Sequence, residues 1–303
     1  MSDRFDEAVA ALIRPDLHRP PPDEVRKLAA EAIRLAGGRR SEGGGIVATL
    51  FYGSCYRDGI VGDGMVDLYL LADSEGVPAQ GRIAAIANRL VPPNVHYVQC
   101  RDDDGRTLRA KYALLTLQQF SARMRPACGN PYFWARFAQP TGIVEVEADC
   151  RDRLEAAFVR AIRTLHGHAR RLTGPDSPPE TLWVSVLQET YRTELRVEKP
   201  DRAQQIYQAN RERFDAVAAI LDRAPVEPEI GGTWAWRRFE GKALSVLRLV
   251  KAAFTFAGGA DYLAWKIERH SGVVLQLTDW QKRHPILASG PILWRLWRQR
   301  IIG

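Results

Sequence analysis

Residues 46–71, IVATLFYGSCYRDGIVGDGMVDLYLL, constrain the fold more than any other stretch. Two apolar runs flank a glycine-rich turn, with Gly53-Ser54 directly after the first run and a carboxylate, Asp67, inside the second. The runs read as strands, Ile46 to Tyr52 and Met65 to Ala72. A Gly-Ser turn lets backbone N–H groups and a hydroxyl approach a triphosphate, and Asp67 on the next strand can face a Mg²⁺ that bridges those phosphates. The same residues also fit an ordinary turn followed by a strand with one polar side chain. Side chains two apart on a strand share a face, so an Asp-x-Asp pair could grip one ion, but the second position here is Tyr69. Asp73 is on that face too, yet six residues of strand span roughly 20 Å. A second ligand has to come from elsewhere.

Gly-Ser after one strand and Asp in the next is the layout of the nucleotidyltransferase fold. Five pieces then follow in one order: YGSC (Tyr52 to Cys55), MVDLYLLAD (Met65 to Asp73), NVHY (Asn94 to Tyr97), KYALLTLQQF (Lys111 to Phe120) and YRTELR (Tyr191 to Arg196). In that order the chain resembles the mitochondrial-type phosphatidate cytidylyltransferases, the translocator-assembly-and-maintenance family of peripheral CDP-diacylglycerol synthases. That family typically reads YGSG, an M-I-D-F strand with one Asp, N-x-x-HYS, KYG, and later Y-x-GD-x-R. Cys55, Val98 and Ala113 stand where the family has Gly, Ser and Gly, and Thr193-Glu194 where it has Gly-Asp. The match covers about half of the chain, roughly residues 50 to 215.

The resemblance implies an α/β chain with a nucleotidyltransferase domain over 1–148; helical periodicity gives a mainly helical second domain over 149–285, which the resemblance makes winged-helix-like, and an amphipathic helix over 286–303. It implies transfer of CMP from CTP to phosphatidic acid, giving CDP-diacylglycerol and pyrophosphate. Asp67, Glu194 and Lys111 would then be catalytic, with Asp67 and Glu194 as Mg²⁺ ligands, and Tyr52, Gly53, Ser54, His96 and Arg196 would bind the substrate. Read without the resemblance, Glu194 is a helix-face carboxylate paired with Arg192 or Arg196, Lys111 a snorkelling edge residue and His96 a buried, satisfied ring.

Composition agrees with this reading without requiring it. The 303 residues are 46% apolar and 26% charged, enough for a core in two modest domains. Forty-three Lys and Arg against 36 Asp and Glu leave a net charge of +7, which favours nucleotides, acidic lipid or nucleic acid as partners. Cys55, Cys100, Cys128 and Cys150 form no C-x-x-C pair, so a reduced, cytoplasmic setting is expected. His166-Gly-His168 lies in a basic helical stretch and is expected on a solvated surface.

The N-terminal residues carry early acids and no apolar signal core, and no stretch approaches the ~20 apolar residues of a membrane span. Membrane contact is therefore expected to be peripheral, and the resemblance implies the inner membrane. In PILWRLWRQRII, Ile292, Leu293, Leu296, Trp297 and Ile301 gather on one side of a helix, with Arg295 and Arg298 opposite. That is the composition of an anchor for an anionic membrane surface, and equally of a last helix packed on its own domain.

Along the chain, two helices around a Pro-rich joint end at Gly37-Gly38, and a helix is expected over 80–90 before Pro92-Pro93. Strands are expected at His96 to Cys100 and Thr107 to Leu115, divided by the turn RDDDGR. Helical periodicity dominates from Asp149: Glu180 to Arg192, Arg202 to Leu221, Gly241 to Phe256 and Asp261 to His270. Lys251 and Lys266 belong on amphipathic faces of the last two. Two other functions also fit. A nucleotidyltransferase acting on protein, RNA or a small molecule would keep the Gly-Ser turn without a lipid anchor. A non-catalytic basic module would account for the missing second strand carboxylate, although the resemblance makes nucleic acid the less expected partner.

Overall fold

The computed structural model describes residues 4–40, 44–59, 64–74, 91–194, 201–225, 232–255 and 278. The helices expected over 80–90 and 261–270, the tail 286–303, Arg196 and Lys266 lie outside them.

The apolar runs form a mixed five-stranded sheet. β1 (Ile46–Tyr52), β2 (Val66–Ala72), β3 (Asn94–Arg101), β4 (Thr107–Thr116) and β5 (Gly142–Val146) lie in the order β3-β4-β2-β1-β5. β1 runs antiparallel to β2, and β2 runs parallel to β4. All seven residues of β1 are buried, which explains its near-continuous hydrophobicity: a central strand covered on both faces has no polar side.

Period-two alternation sorts the side chains between two layers. Phe51, Leu68, Leu70, Tyr112 and Leu114 pack against α2 (Asp23–Leu35) through Val25, Leu28 and Ala32. Leu50, Tyr52, Tyr69, Leu71, Ala113 and Leu115 face the opposite layer. That layer begins where β4 turns directly into α4 (Leu117–Ala122). Thr116 Oγ1 accepts from Gln119 N at 3.0 Å while Gln119 Oε1 accepts from Thr116 N at 3.0 Å, a reciprocal cap that ends the strand and starts the helix.

The same core contains α1 (Arg4–Leu17), α5 (Tyr132–Phe137), α6 (Arg151–Thr173), α7 (Pro179–Arg192), α8 (Arg202–Ala209) and α9 (Arg211–Leu221). Phe137 is its hub, with ring centroids 5.0 Å from Tyr69, 4.7 Å from Phe120 and 5.9 Å from both Tyr52 and Phe158. The apolar core therefore continues from the sheet into the helices beyond residue 149. The described residues from 149 onward carry no strand.

Four expectations change. The run Arg202 to Leu221 is two helices, because Asn210 leaves helical geometry (φ −134°) and its Nδ2 donates to Ile206 O at 2.9 Å. The following helix, α10 (Trp234–Thr255), starts seven residues before Gly241. Gly241 is interior because a Cβ there would stand 2.5 Å from the Thr193 carbonyl oxygen. His166 and His168 are buried rather than solvated. His166 Nε2 lies 2.8 Å from Asp222 Oδ1, and the His168 ring stacks on Trp134 at 5.0 Å. Lys251 also turns inward, donating to the carbonyls of Val91 and Pro93.

Two outcomes follow from this packing. Phe137→Ala should cost about 3–5 kcal/mol, because it empties the hub, and urea unfolding should still show one transition; separate transitions for sheet and helices would contradict a shared core. His168 is held down to about 3, by burial first and then by Arg237. Unfolded histidine titrates near 6.5, so its contribution is intact above that pH and is lost as pH falls, by about 1.4 kcal/mol per unit. His168→Phe should flatten the fall in urea midpoint between about pH 7 and 5.5, whereas an unchanged slope would assign that fall to other groups.

Candidate active site

Strand register places four side chains in one row. Tyr52 pairs with Asp67, Asp67 with Lys111 and Lys111 with Tyr97, so all four project from the sheet face that carries the helical layer. Lys111 Nζ lies 2.9 Å from Asp67 Oδ1, with the side chains 40% and 19% exposed. The approach is off-line for a hydrogen bond, and Asp67 Oδ1 is buried with no hydrogen-bond partner among the described residues.

Gly53 follows β1 with φ 86° and ψ −157°, a conformation nearly restricted to glycine. A Cβ at Gly53 would stand 2.7 Å from Asp67 Oδ2, so the absent side chain is what lets the carboxylate lie against the turn. Ser54 is exposed and opens the short helix α3 (Ser54–Asp58), whose first N–H groups have no acceptor within the helix. Turn, hydroxyl and carboxylate thus converge at one end of the sheet.

A cavity of about 630 Å³ opens over this row. Tyr132 and Arg136 of α5 form one wall, and Glu194, just past α7, lines it with Arg202 and Asn210. Arg192 does not take Glu194 as its partner: it bonds Glu189 at 2.5 Å, and Glu189 also accepts from Arg238 at 2.7 Å. Glu194 instead exerts its charge on Tyr132 and Arg136. The cavity therefore brings together Tyr52, Gly53, Ser54, Asp67, Lys111 and Glu194.

His96 is excluded from this group. It pairs in register with Tyr112, on the α2 side of the sheet, and stacks on that ring at 5.1 Å. Burial, assisted by the charge on Lys251, lowers its pKa to about 4, so it is neutral at ordinary pH. The sequence position is next to the row, but one residue of strand reverses the face. Tyr69, where a second strand carboxylate would stand, is fully buried at 5.0 Å from Phe137.

Sequence reasoning missed Arg136 and Tyr132. The Arg136 guanidinium lies 5.2 Å from the Tyr52 ring centre and 4.6 Å from that of Tyr132, and its Nε is buried with no hydrogen-bond partner among the described residues. Tyr132 has Arg248 4.5 Å from its ring centre, and its hydroxyl meets that of Tyr69 at 3.4 Å. Burial opposes ionisation of Tyr132, but the charges of Arg136 and Arg248 outweigh it and hold the phenol below its usual pKa. The available signal was a single cation inside an aromatic run, PYFWARF, bounded by Asn130 and Pro140.

Among the described residues no group of three His, Cys, Asp or Glu side chains could hold a metal. Mg²⁺ does not need one, since it commonly keeps several waters and binds one or two carboxylates together with substrate phosphates. Asp67 Oδ1, ion-paired with Lys111 but without a hydrogen bond among the described residues, and the carboxylate of Glu194 on the same cavity suit that requirement. No helix among the described residues is long and apolar enough to cross a membrane. No match to this chain appears among models of known protein families or among curated proteins.

Gly53→Ala tests the turn. The substitution should destabilise the protein by about 1–3 kcal/mol and displace Asp67, lowering triphosphate affinity in calorimetric titration. Wild-type stability and affinity would mean that the turn does not hold Asp67 in place.

Proposed function

We propose that this protein is a Mg²⁺-dependent nucleotidyltransferase that moves CMP from CTP to phosphatidic acid at an anionic membrane surface, releasing pyrophosphate. The observation that carries the proposal is the junction of the Gly53-Ser54 turn with Asp67 and Lys111 on one wall of the cavity. An antiparallel β1–β2 pair joined through that turn, with β4 parallel to β2, supports a nucleotidyltransferase-type domain. The order of the motifs supports the lipid acceptor, and a volume of about 630 Å³ suits a nucleotide.

Backbone N–H groups around Ser54 and its hydroxyl would cradle the triphosphate. Lys111, 40% exposed, can turn to a phosphate oxygen, and Arg136 offers a cation preset by two aromatic rings. Asp67 and Glu194 would hold Mg²⁺, whose contribution is to offset charge on the phosphates. An oxygen of the acceptor phosphate attacks the α-phosphorus in line, the bond from that phosphorus to the bridging oxygen breaks, and pyrophosphate leaves. A phosphate acceptor is already ionised, so positioning and charge neutralisation can supply the catalysis without a general base.

One observation favours a second acceptor class. Tyr132 lines the cavity with the Arg136 and Arg248 guanidinium groups 4.6 Å and 4.5 Å from its ring centre, a phenol placed among cations that suits removal of a proton from a hydroxyl acceptor such as a ribose or a protein side chain. The two readings separate when pyrophosphate release is measured with each nucleoside triphosphate and vesicles of phosphatidate or of diacylglycerol. The phosphatidate reading expects release with CTP and phosphatidate; release only with hydroxyl acceptors would select the other.

Asp67→Asn should lower turnover by about a hundredfold or more with unchanged circular dichroism, because it removes a metal-binding charge at constant volume. Glu194→Gln should raise the Mg²⁺ concentration needed for half-maximal rate. An unaltered metal requirement would make Glu194 a bystander on the cavity wall.

A further inference from the structure

Most of the large apolar side chains exposed among the described residues lie on α10. Trp236 is 57% exposed, Phe239 65%, Val246 48% and Leu247 50%, and the remaining two, Leu35 and Leu172, sit elsewhere. Their spacing of three, seven and one brings them onto one helical stripe, with exposed Ala243 filling the gap. The Trp236 and Phe239 rings touch, 5.6 Å between centroids. A stripe this apolar on an otherwise charged chain calls for a partner.

The opposite face of α10 is already engaged. Trp234 meets the His168 ring edge-on at 5.8 Å, and Arg237 donates to the carbonyls of Cys128 at 3.1 Å and Gly129 at 2.7 Å. Gly241 lies against the Thr193 carbonyl. The stripe is therefore not the inward face of a helix awaiting its own core. Its border identifies the partner. Lys242, three residues after Phe239 and four before Val246, is exposed along one edge, and Arg238 follows it around the helix, part-exposed while it bonds Glu189. The sole acid of the helix, Glu240, is half-buried with its carboxylate beside Gly129.

We infer that the exposed face of α10 docks on an anionic bilayer, with Trp236 and Phe239 entering the interface and Lys242 meeting lipid headgroups. Indole and phenyl rings favour the headgroup boundary, an ammonium beside them is drawn to acidic lipid, and the one carboxylate bordering the face, that of Glu240, is turned toward Gly129. The net charge of +7 on the whole chain favours the same approach. The inward face of the same helix contacts Thr193, immediately before Glu194 on the cavity wall. Docking would thus seat the cavity near the surface from which a lipid acceptor comes. This deepens the proposed lipid reading and rests on it only for the identity of the acceptor.

The test uses the full chain and vesicles of phosphatidylcholine with and without phosphatidate, sedimented in the absence of CTP and Mg²⁺. The wild type should sediment with phosphatidate vesicles and be released by salt. The double variant Trp236→Ser/Phe239→Ser, both positions being exposed, should keep its circular dichroism and lose about tenfold or more in vesicle affinity. Undiminished binding of the double variant overturns the inference. So does a wild-type dimer that the two substitutions convert to monomer without altering vesicle binding, which would assign the face to a second copy of the chain. Pyrophosphate release with a water-soluble short-chain phosphatidate tests the catalytic reading separately, because it requires no bilayer. Turnover with undiminished vesicle binding in the variant rejects only the docking face, and face-dependent binding without turnover rejects only the reaction.

Discussion

The sheet face that carries Asp67 is divided lengthwise, and the site depends on that division. Along β2 the same-face positions are Asp67, Tyr69 and Leu71, and along β4 they are Lys111, Ala113 and Leu115. Tyr69, Leu71 and Leu115 lie under Phe133, Phe137 and the other helices of that layer, while Asp67 and Lys111, with Ala113 behind them, remain at the cavity. Backbone alternation and the parallel β2–β4 register therefore put a carboxylate beside an ammonium at the rim of a hydrophobic core. Moving Lys111 by one residue would turn it toward α2, as the placement of His96 illustrates.

The aromatic seam at Phe137 stabilises this arrangement and supplies part of the site. Its rings bury the position where another metal-binding strand would carry a second acid, so Tyr69 belongs to the packing. The same cluster extends through Tyr52 and Tyr132, whose faces hold the Arg136 guanidinium at the cavity. On the far wall, Glu189 is engaged by Arg192 and Arg238, so Arg192 is not drawn to Glu194. Core, charge pairs and cavity are one construction.

Strands β1, β2 and β4 and the Gly53-Ser54 turn were legible in the sequence because apolar runs and glycine act locally. Gly53, Ser54 and Asp67 lie on the turn and strand that the apolar runs marked out, and Lys111, Tyr52 and Glu194, singled out by the resemblance, line the same cavity. What the sequence concealed depends on contacts between distant segments. His168 sits in a basic helix and looks solvated, yet it packs on Trp134 from another element. Gly241 resembles a helix start, and only the approach of Thr193 explains it. Arg136 lies in a helix of six residues, too short to announce itself by periodicity.

The central claim is that the cavity over the Asp67–Lys111 row receives a nucleoside triphosphate. A crystal structure of the protein grown with CTP and Ca²⁺, which substitutes for the reactive metal, tests it directly. Triphosphate density should lie against the Gly53-Ser54 turn, with a cation between it and Asp67 and phosphate oxygens within reach of Lys111 and Arg136. Nucleotide bound elsewhere, or a cavity left empty at saturating CTP, would contradict it.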